Sequence, residues 1–278
     1  MPPAEPDPTF RPHAVDTGTP TDAPAGPTLL LVHGWGSDGE DWADHLPGLA
    51  PWHRVLVPDL PGHGRTPDRP ERCAPRVLAA DLAGWLRGLN AGPVVAVGHS
   101  LGGQVVAALA VEHPDVVRSV VALATAYGGD AAEAERLPAE QRALRREGAA
   151  WAVGFVRRAF APGTPERVRR RHERLMAAMD PEVLIRYRDG MYLAPGAFGL
   201  RPAADAYLRD RRCPALGVHT SPAAAGWERG LSRHPLSRVE LWPDCGHYLH
   251  EERPAEVVTL LRAWCAETAG DDGRDAPR

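Results

Sequence analysis

A chain of 278 residues with 44% hydrophobic content and a formal charge of −4 holds enough apolar material for one globular core. Its basic residues are all arginine and are interspersed with acids, which excludes the basic stripe of a nucleic-acid binder and the polybasic patch of a membrane anchor. No run approaches the ~18 apolar residues of a membrane span, and MPPAEPDPTF lacks the basic start and apolar centre of a secretory signal, so a cytoplasmic protein is expected.

Residues 1–26 are rich in Pro, Asp and Thr and read as a flexible arm with at most one short strand around Phe10 to Val15. The core opens at Pro27: TLLLVHG (28–34), RVLVPDLPG (54–62), PVVAVGHS (93–100) and VRSVVALAT (117–125) are apolar runs of the buried-strand type. Helical patterns separate them at 41–50, 75–89 and 102–113, so 27–127 reads as a βαβαβαβ unit with a parallel sheet. Residues 128–212 carry helical segments broken at Pro162, Pro181 and Pro195 but no strand pattern, and are expected to form a helical insertion. Within it RVRRRHERL (167–175) reads as the solvated face of a helix. Strands resume at PALGVHT (214–220) and RVELWP (238–243), and PAEVVTLLRAWCAET (254–268) closes the second core part, 213–268, before a disordered tail at 269–278. Cys73, Cys213, Cys245 and Cys265 have neither CxxC spacing nor a nearby His pair, so they indicate neither a zinc site nor a disulfide framework.

Three stretches carry chemistry. GHSLG (98–102) follows a valine-rich strand and opens a helix, the context in which G-x-S-x-G forms a nucleophile elbow. The turn is so tight that Ser100 must take a strained backbone conformation with glycine on either side, and the helix starting at Leu101 points its free N–H groups where an oxyanion would form. HGWG (33–36), after the first long strand, can turn the Trp35 amide toward the same point as the Leu101 amide. CGHYLHEERP (245–254) puts His247 in a loop between the last strand and the last helix, while His99, His219 and His250 read as structural.

Together with the DLPGHG loop (59–64), these ordered motifs resemble the α/β-hydrolase superfamily over roughly residues 27–268. The resemblance implies a mostly parallel sheet with helices on both faces and a helical cap between that family's sixth and seventh strands. It makes Ser100 the nucleophile, His247 the base, Trp35 and Leu101 the oxyanion donors, and Asp59 and His63 loop-structuring groups. The arm before Pro27 is short for the two strands that commonly begin such proteins, so the sheet is expected to be truncated at that edge.

The acid of the triad departs from the family pattern, because Pro222 to Ala224 and Ala124 to Thr125 stand where a carboxylate is expected. Asp130, Glu228, Asp244 or no acid at all remain as alternatives. The implied reaction is acyl transfer to water on an ester, lactone or related carbonyl of a small, largely apolar metabolite, without metal or cofactor. Trp151, Phe155, Phe160, Met191, Tyr192 and Phe198 are candidates either for an apolar pocket or for the core of the insertion. Two other uses of the same site stay open: cofactor-free dioxygenase-like chemistry, and a ligand-binding receptor with little turnover.

Overall fold

A computed structural model describes residues 3–21, 25–231 and 233–270 of the chain. Seven strands form one sheet in the order β1-β3-β2-β4-β5-β6-β7. They are β1 (Ala14–Asp16), β2 (Leu29–Val32), β3 (Val55–Pro58), β4 (Val94–His99), β5 (Val117–Leu123), β6 (Ala215–His219) and β7 (Arg238–Leu241). All neighbours run parallel except β1, which lies antiparallel to β3 with Val15 opposite Val57. The helices are α1 (Leu46–Leu49), α2 (Pro75–Gly88), α3 (Leu101–Glu112), α4 (Ala131–Glu147), α5 (Ala149–Arg157), α6 (Glu166–Ala178), α7 (Pro181–Tyr192), α8 (Arg201–Leu208), α9 (Pro222–Arg229), α10 (Leu249–Glu252) and α11 (Pro254–Glu267).

Because successive residues of a strand point to opposite faces, each central strand feeds two cores. Leu30, Val32, Val94 and Ala96 join Leu78, Leu82, Val105 and Leu109 of α2 and α3 on one face. Leu29, Leu31, Val95, Val97, Leu216 and Val218 pack on the other against Trp42, Leu49, Leu261 and Trp264. Burial on both faces explains why these strands read as continuous apolar runs. The helices of the two layers are the ones that the periodicity places between the strands.

Residues 5–10 of the N-terminal segment are pinned to the core, in a stretch whose composition reads as a flexible arm. Phe10 is buried, Asp7 pairs with Arg69, and the Asp7 amide donates to Asp81 Oδ1 at 2.8 Å. Arg72 holds Asp81 at 2.6 Å and also donates to the Glu5 carbonyl. Composition described this segment as polar, but one buried aromatic and an ion-paired turn anchor it. The truncated edge is as expected: among the described residues a single strand, β1, precedes β2.

Between β5 and β6 the chain makes the five helices α4 to α8. This is the strandless stretch expected from the sequence, and it packs on the loops at the carboxyl end of the sheet. Tyr187 Oη of α7 donates to the Pro61 carbonyl at 2.8 Å, and Trp35 Nε1 donates to the Leu184 carbonyl at 3.0 Å. One expectation for this region fails: α6 is not simply a solvated face. His172 is fully buried and Arg171 is bonded to Asp38 and Asp41, because Val168, His172 and Met176 form an inward stripe at helical spacing.

Candidate active site

β4 ends at His99 and α3 begins at Leu101, so Ser100 alone makes the turn. Its φ of 53° and ψ of −114° lie in a region that costs a side-chain-bearing residue on the order of 1–3 kcal/mol. Three hydrogen bonds hold it there: the Ser100 amide donates to the Leu123 carbonyl at 3.0 Å, and the Ser100 carbonyl accepts from the Gly103 and Ala126 amides at 2.9 and 3.1 Å. The flanking glycines are obligatory. A Cβ on Gly98 would lie 2.1 Å from the Gly102 carbonyl oxygen, and one on Gly102 would lie 2.2 Å from the Val32 carbonyl oxygen. Ser100 is buried and its side chain does not cap α3.

The HGWG turn lies against this residue. A Cβ on Gly34 would stand 3.3 Å from Ser100 Cβ. His33 braces the turn by accepting from the Leu60 amide at its Nε2, 2.9 Å, and donating Nδ1–H to the Gly34 carbonyl at 2.8 Å. The Gly36 amide donates to His63 Nε2 at 3.1 Å, and Asp59 accepts from the amides of Gly39 and Arg65 at 2.8 Å each. Asp59 and His63 therefore structure loops, as the motif resemblance implies. The amide of Leu101 belongs to the first turn of α3, where backbone donors have no partner within the helix and the helix dipole favours negative charge.

His247 sits in the loop between β7 and α10, held by its backbone. Its amide donates to the Ala159 carbonyl at 3.0 Å, and its carbonyl accepts from His99 Nε2 at 2.8 Å. Gly246 donates to Glu252 Oε2 at 2.9 Å, and the Thr164 hydroxyl bonds the same carboxylate at 2.6 Å. The loop is thus tied to β4 on one side and to the segment joining α5 and α6 on the other. The His247 ring lies 4.8 Å from that of His99, the residue before Ser100. Burial, with repulsion from His172, pushes the imidazole down to about 4, and no hydrogen bond or carboxylate opposes this among the described residues.

The three candidate acids go elsewhere. Asp130 is exposed and caps α4 by accepting from the Glu133 amide at 3.0 Å. Asp244 is exposed on the loop before His247. Glu228 is buried, but its partners are His219 Nε2 at 2.5 Å and Tyr127 Oη at 2.7 Å, with Arg211 at 4.0 Å. Burial raises the Glu228 carboxyl, yet the bond from His219 and the charge of Arg211 together hold it below its usual value. Ser100 and the His247 loop are therefore neighbours through His99, and none of the three candidate acids is among the bonded partners of His247 in the described residues.

The sequence reading missed a second polar cluster beside the elbow. Asp41, His172, His250 and Glu251 are all buried there. Ser37 Oγ donates to Asp41, Arg171 bonds Asp41 and Asp38, and His172 bonds Glu251. Burial raises Glu251 to about 7 and lowers His172 to about 4. The hint available was HEE at 250–252, where charged residues follow a loop that must pack inward.

The candidate pocket aromatics divide. Trp151 and Phe155 stack at 5.2 Å, Phe155 meets Trp35 edge-on at 5.8 Å, and the Arg188 guanidinium covers both rings. Tyr192 donates to the Ala126 carbonyl at 3.2 Å, and Phe160 packs on Tyr248 beside His247. Phe198 instead stacks on Tyr207 at 4.2 Å and is buried in the core with Met191.

Residues 29–260 match the alpha/beta hydrolase family. The chain is 31% identical to lipase LipV of Mycobacterium tuberculosis over 86% of its own length and 94% of that protein's. It is 28% identical to 2-hydroxymuconate semialdehyde hydrolase of a Pseudomonas species, covering 88% of this chain and 89% of that one. A solved esterase from Thermogutta terrifontis superposes with a TM-score of 0.76 at 26% identity, over 92% and 93% of the two chains. Similarity to the magnesium-chelatase 30 kDa subunit of Rhodobacter capsulatus is local: 43% identity over 102 residues, about a third of that protein's length at 34%. With a family match that extends across the elbow, the HGWG turn and the His247 loop, the chain belongs to the alpha/beta hydrolase family.

Proposed function

We propose that the protein is a serine hydrolase acting on an ester, lactone or related carbonyl of a small metabolite through a Ser100–His247 dyad. The observation that carries this reading is the strained φ of 53° at Ser100, which a chain retains at a cost and which presents the hydroxyl beside the first turn of α3. His247 takes the Ser100 proton as the oxygen attacks the carbonyl, the amides of Trp35 and Leu101 hold the oxyanion, and His247 then returns the proton to the leaving group. Water activated by the same imidazole releases the acyl group. Resting hydrogen bonds between such groups are often open and close only around substrate. The helices α4 to α8 serve as a lid, with Trp151, Phe155 and Tyr192 selecting the acyl group. An intracellular site of action, with no nucleic-acid or membrane partner, goes with this reading.

The test is labelling with a fluorophosphonate followed by intact mass and peptide mapping. A stable adduct at Ser100, lost in Ser100→Ala and His247→Ala, is expected. The lack of a carboxylate at His247 among the described residues favours one other reading, a ligand-binding protein with little turnover. Failure of the folded wild type to label would replace the hydrolase reading with that one.

A further inference from the structure

One ring nitrogen of His99, one of His250 and one carboxylate oxygen of Asp41 lie within 4.8 Å of one another. The three residues are at most 2% exposed. They come from three separate places at the carboxyl end of the sheet: the turn after β2, the last residue of β4, and α10. The rings of His99 and His250 are 4.2 Å apart, and His250 Nε2 is 4.0 Å from Asp41 Oδ2. The dyad mechanism uses none of these side chains.

Their lone pairs are unspent. A carbonyl only accepts, so the bond from His99 Nε2 to the His247 carbonyl places the ring proton on Nε2 and leaves Nδ1 with a free lone pair. His99 Nδ1 and both nitrogens of His250 are buried without a hydrogen-bond partner. A neutral imidazole carries one lone pair, so the two rings together hold two buried acceptor positions with no partner, which call for a ligand. The Asp41 carboxylate is divided: Oδ1 faces Arg171 and His172, while Oδ2 faces His250, and Ser37 Oγ reaches both at 2.6 and 2.5 Å. Arg171 is shared with Asp38, so its single charge does not balance the acids around it.

We propose that Asp41, His99 and His250 bind one divalent transition-metal cation, with zinc the best match. Two imidazoles and one carboxylate suit zinc better than the all-oxygen shells of magnesium or calcium. Ligand atoms around a tetrahedral zinc lie roughly 3.4 Å apart, so the 4.0 Å between His250 and Asp41 has to close by roughly half an ångström. Water completes the shell. The neighbouring set Asp41, His172 and Glu251 is equally compact, but His172 Nε2 is already bonded to Glu251. The site also has the usual outer support, since a metal-bound imidazole commonly donates its other N–H to a backbone carbonyl. Here that carbonyl belongs to His247. An ion on His99 Nδ1 strengthens this bond, so the site positions the His247 loop and does not touch substrate.

The experiment uses the full-length chain, stripped with a chelator and titrated with zinc and, separately, with cobalt(II). Expected are one zinc per chain by mass spectrometry of the element, a rise in Tm with zinc that the chelator reverses, and cobalt d–d bands of a four-coordinate N/O site. Asp41→Asn and His250→Gln lose on the order of 100-fold or more in zinc affinity, while Ser100→Ala keeps the ion. Near-ultraviolet circular dichroism checks that the variants fold. No stoichiometric zinc and no cobalt bands in the wild type would overturn the proposal without need of any variant. Undiminished zinc binding in folded Asp41→Asn and His250→Gln would overturn it as well, by placing the ion elsewhere.

Discussion

His99 Nε2 donates to the carbonyl of His247 at 2.8 Å, so the residue before the nucleophile carries the loop of the proposed base. Strand β4 thereby places both residues of the proposed dyad: Ser100 by the turn at its end, and His247 by a bond from its last side chain. The position of His247 depends on its backbone contacts and not on a carboxylate at its ring.

This has a consequence for the pH dependence of catalysis. A base pushed down to about 4 stays neutral and competent through the weakly acidic range. In brief assays the expected kcat/KM of ester hydrolysis is flat from pH 8 to about 5, halving near 4. Half-maximal activity near neutrality would show that a counter-charge reaches the ring.

Stability follows a different course. His45, His172 and His247 are lowered to about 4 and His63 to about 3, chiefly by burial, so below pH 6.5 the unfolded chain binds protons that the folded chain refuses. Stability is therefore complete above the unfolded histidine value and declines as pH falls toward 4. Tm measured at intervals across pH 7.5 to 4 should drop most steeply below about 6.5. A flat Tm down to pH 5 would contradict the burial of these rings.

The acids separate by kind of damage. Asp130→Asn and Asp244→Asn should leave kcat within roughly tenfold of wild type, since a true triad acid costs on the order of 10⁴. Glu228→Gln should lower stability by about 3–5 kcal/mol by leaving Arg211 without its buried counter-charge. Its kcat per folded molecule should stay within the same tenfold range. A collapse of kcat in any folded variant of the three would identify an acid for His247.

Gly98→Ala tests the elbow itself. The added methyl would approach the Gly102 carbonyl oxygen to 2.1 Å, a clash that only opening the turn relieves. Loss of soluble protein, or a folded protein that no longer labels at Ser100, is expected. A normally labelling Gly98→Ala variant would show that the turn is looser than drawn here.

The alternation of apolar runs with helical periods already determined the parallel sheet, the strandless stretch between β5 and β6, and the elbow. Those features rest on local chemistry: valine-rich runs buried on both faces, and glycines where a Cβ has no room. The loop-structuring roles of Asp59 and His63 come from the resemblance of the DLPGHG loop to a known family, not from local pattern. What the sequence could not determine was which polar residues would share a buried space. Asp130 is a candidate acid in sequence yet becomes a helix cap, Glu228 turns inward to His219, and Arg171 and His172 leave an apparently solvated run to meet Asp41. Phe10 likewise anchors an arm whose composition is that of a loose segment. Pairings of this kind join residues 130 positions apart and more, as Arg171 is from Asp41 and from Asp38. Desolvation and charge pairing act between neighbours in space, and only the packing of the loops at the carboxyl end of the sheet decides who those neighbours are.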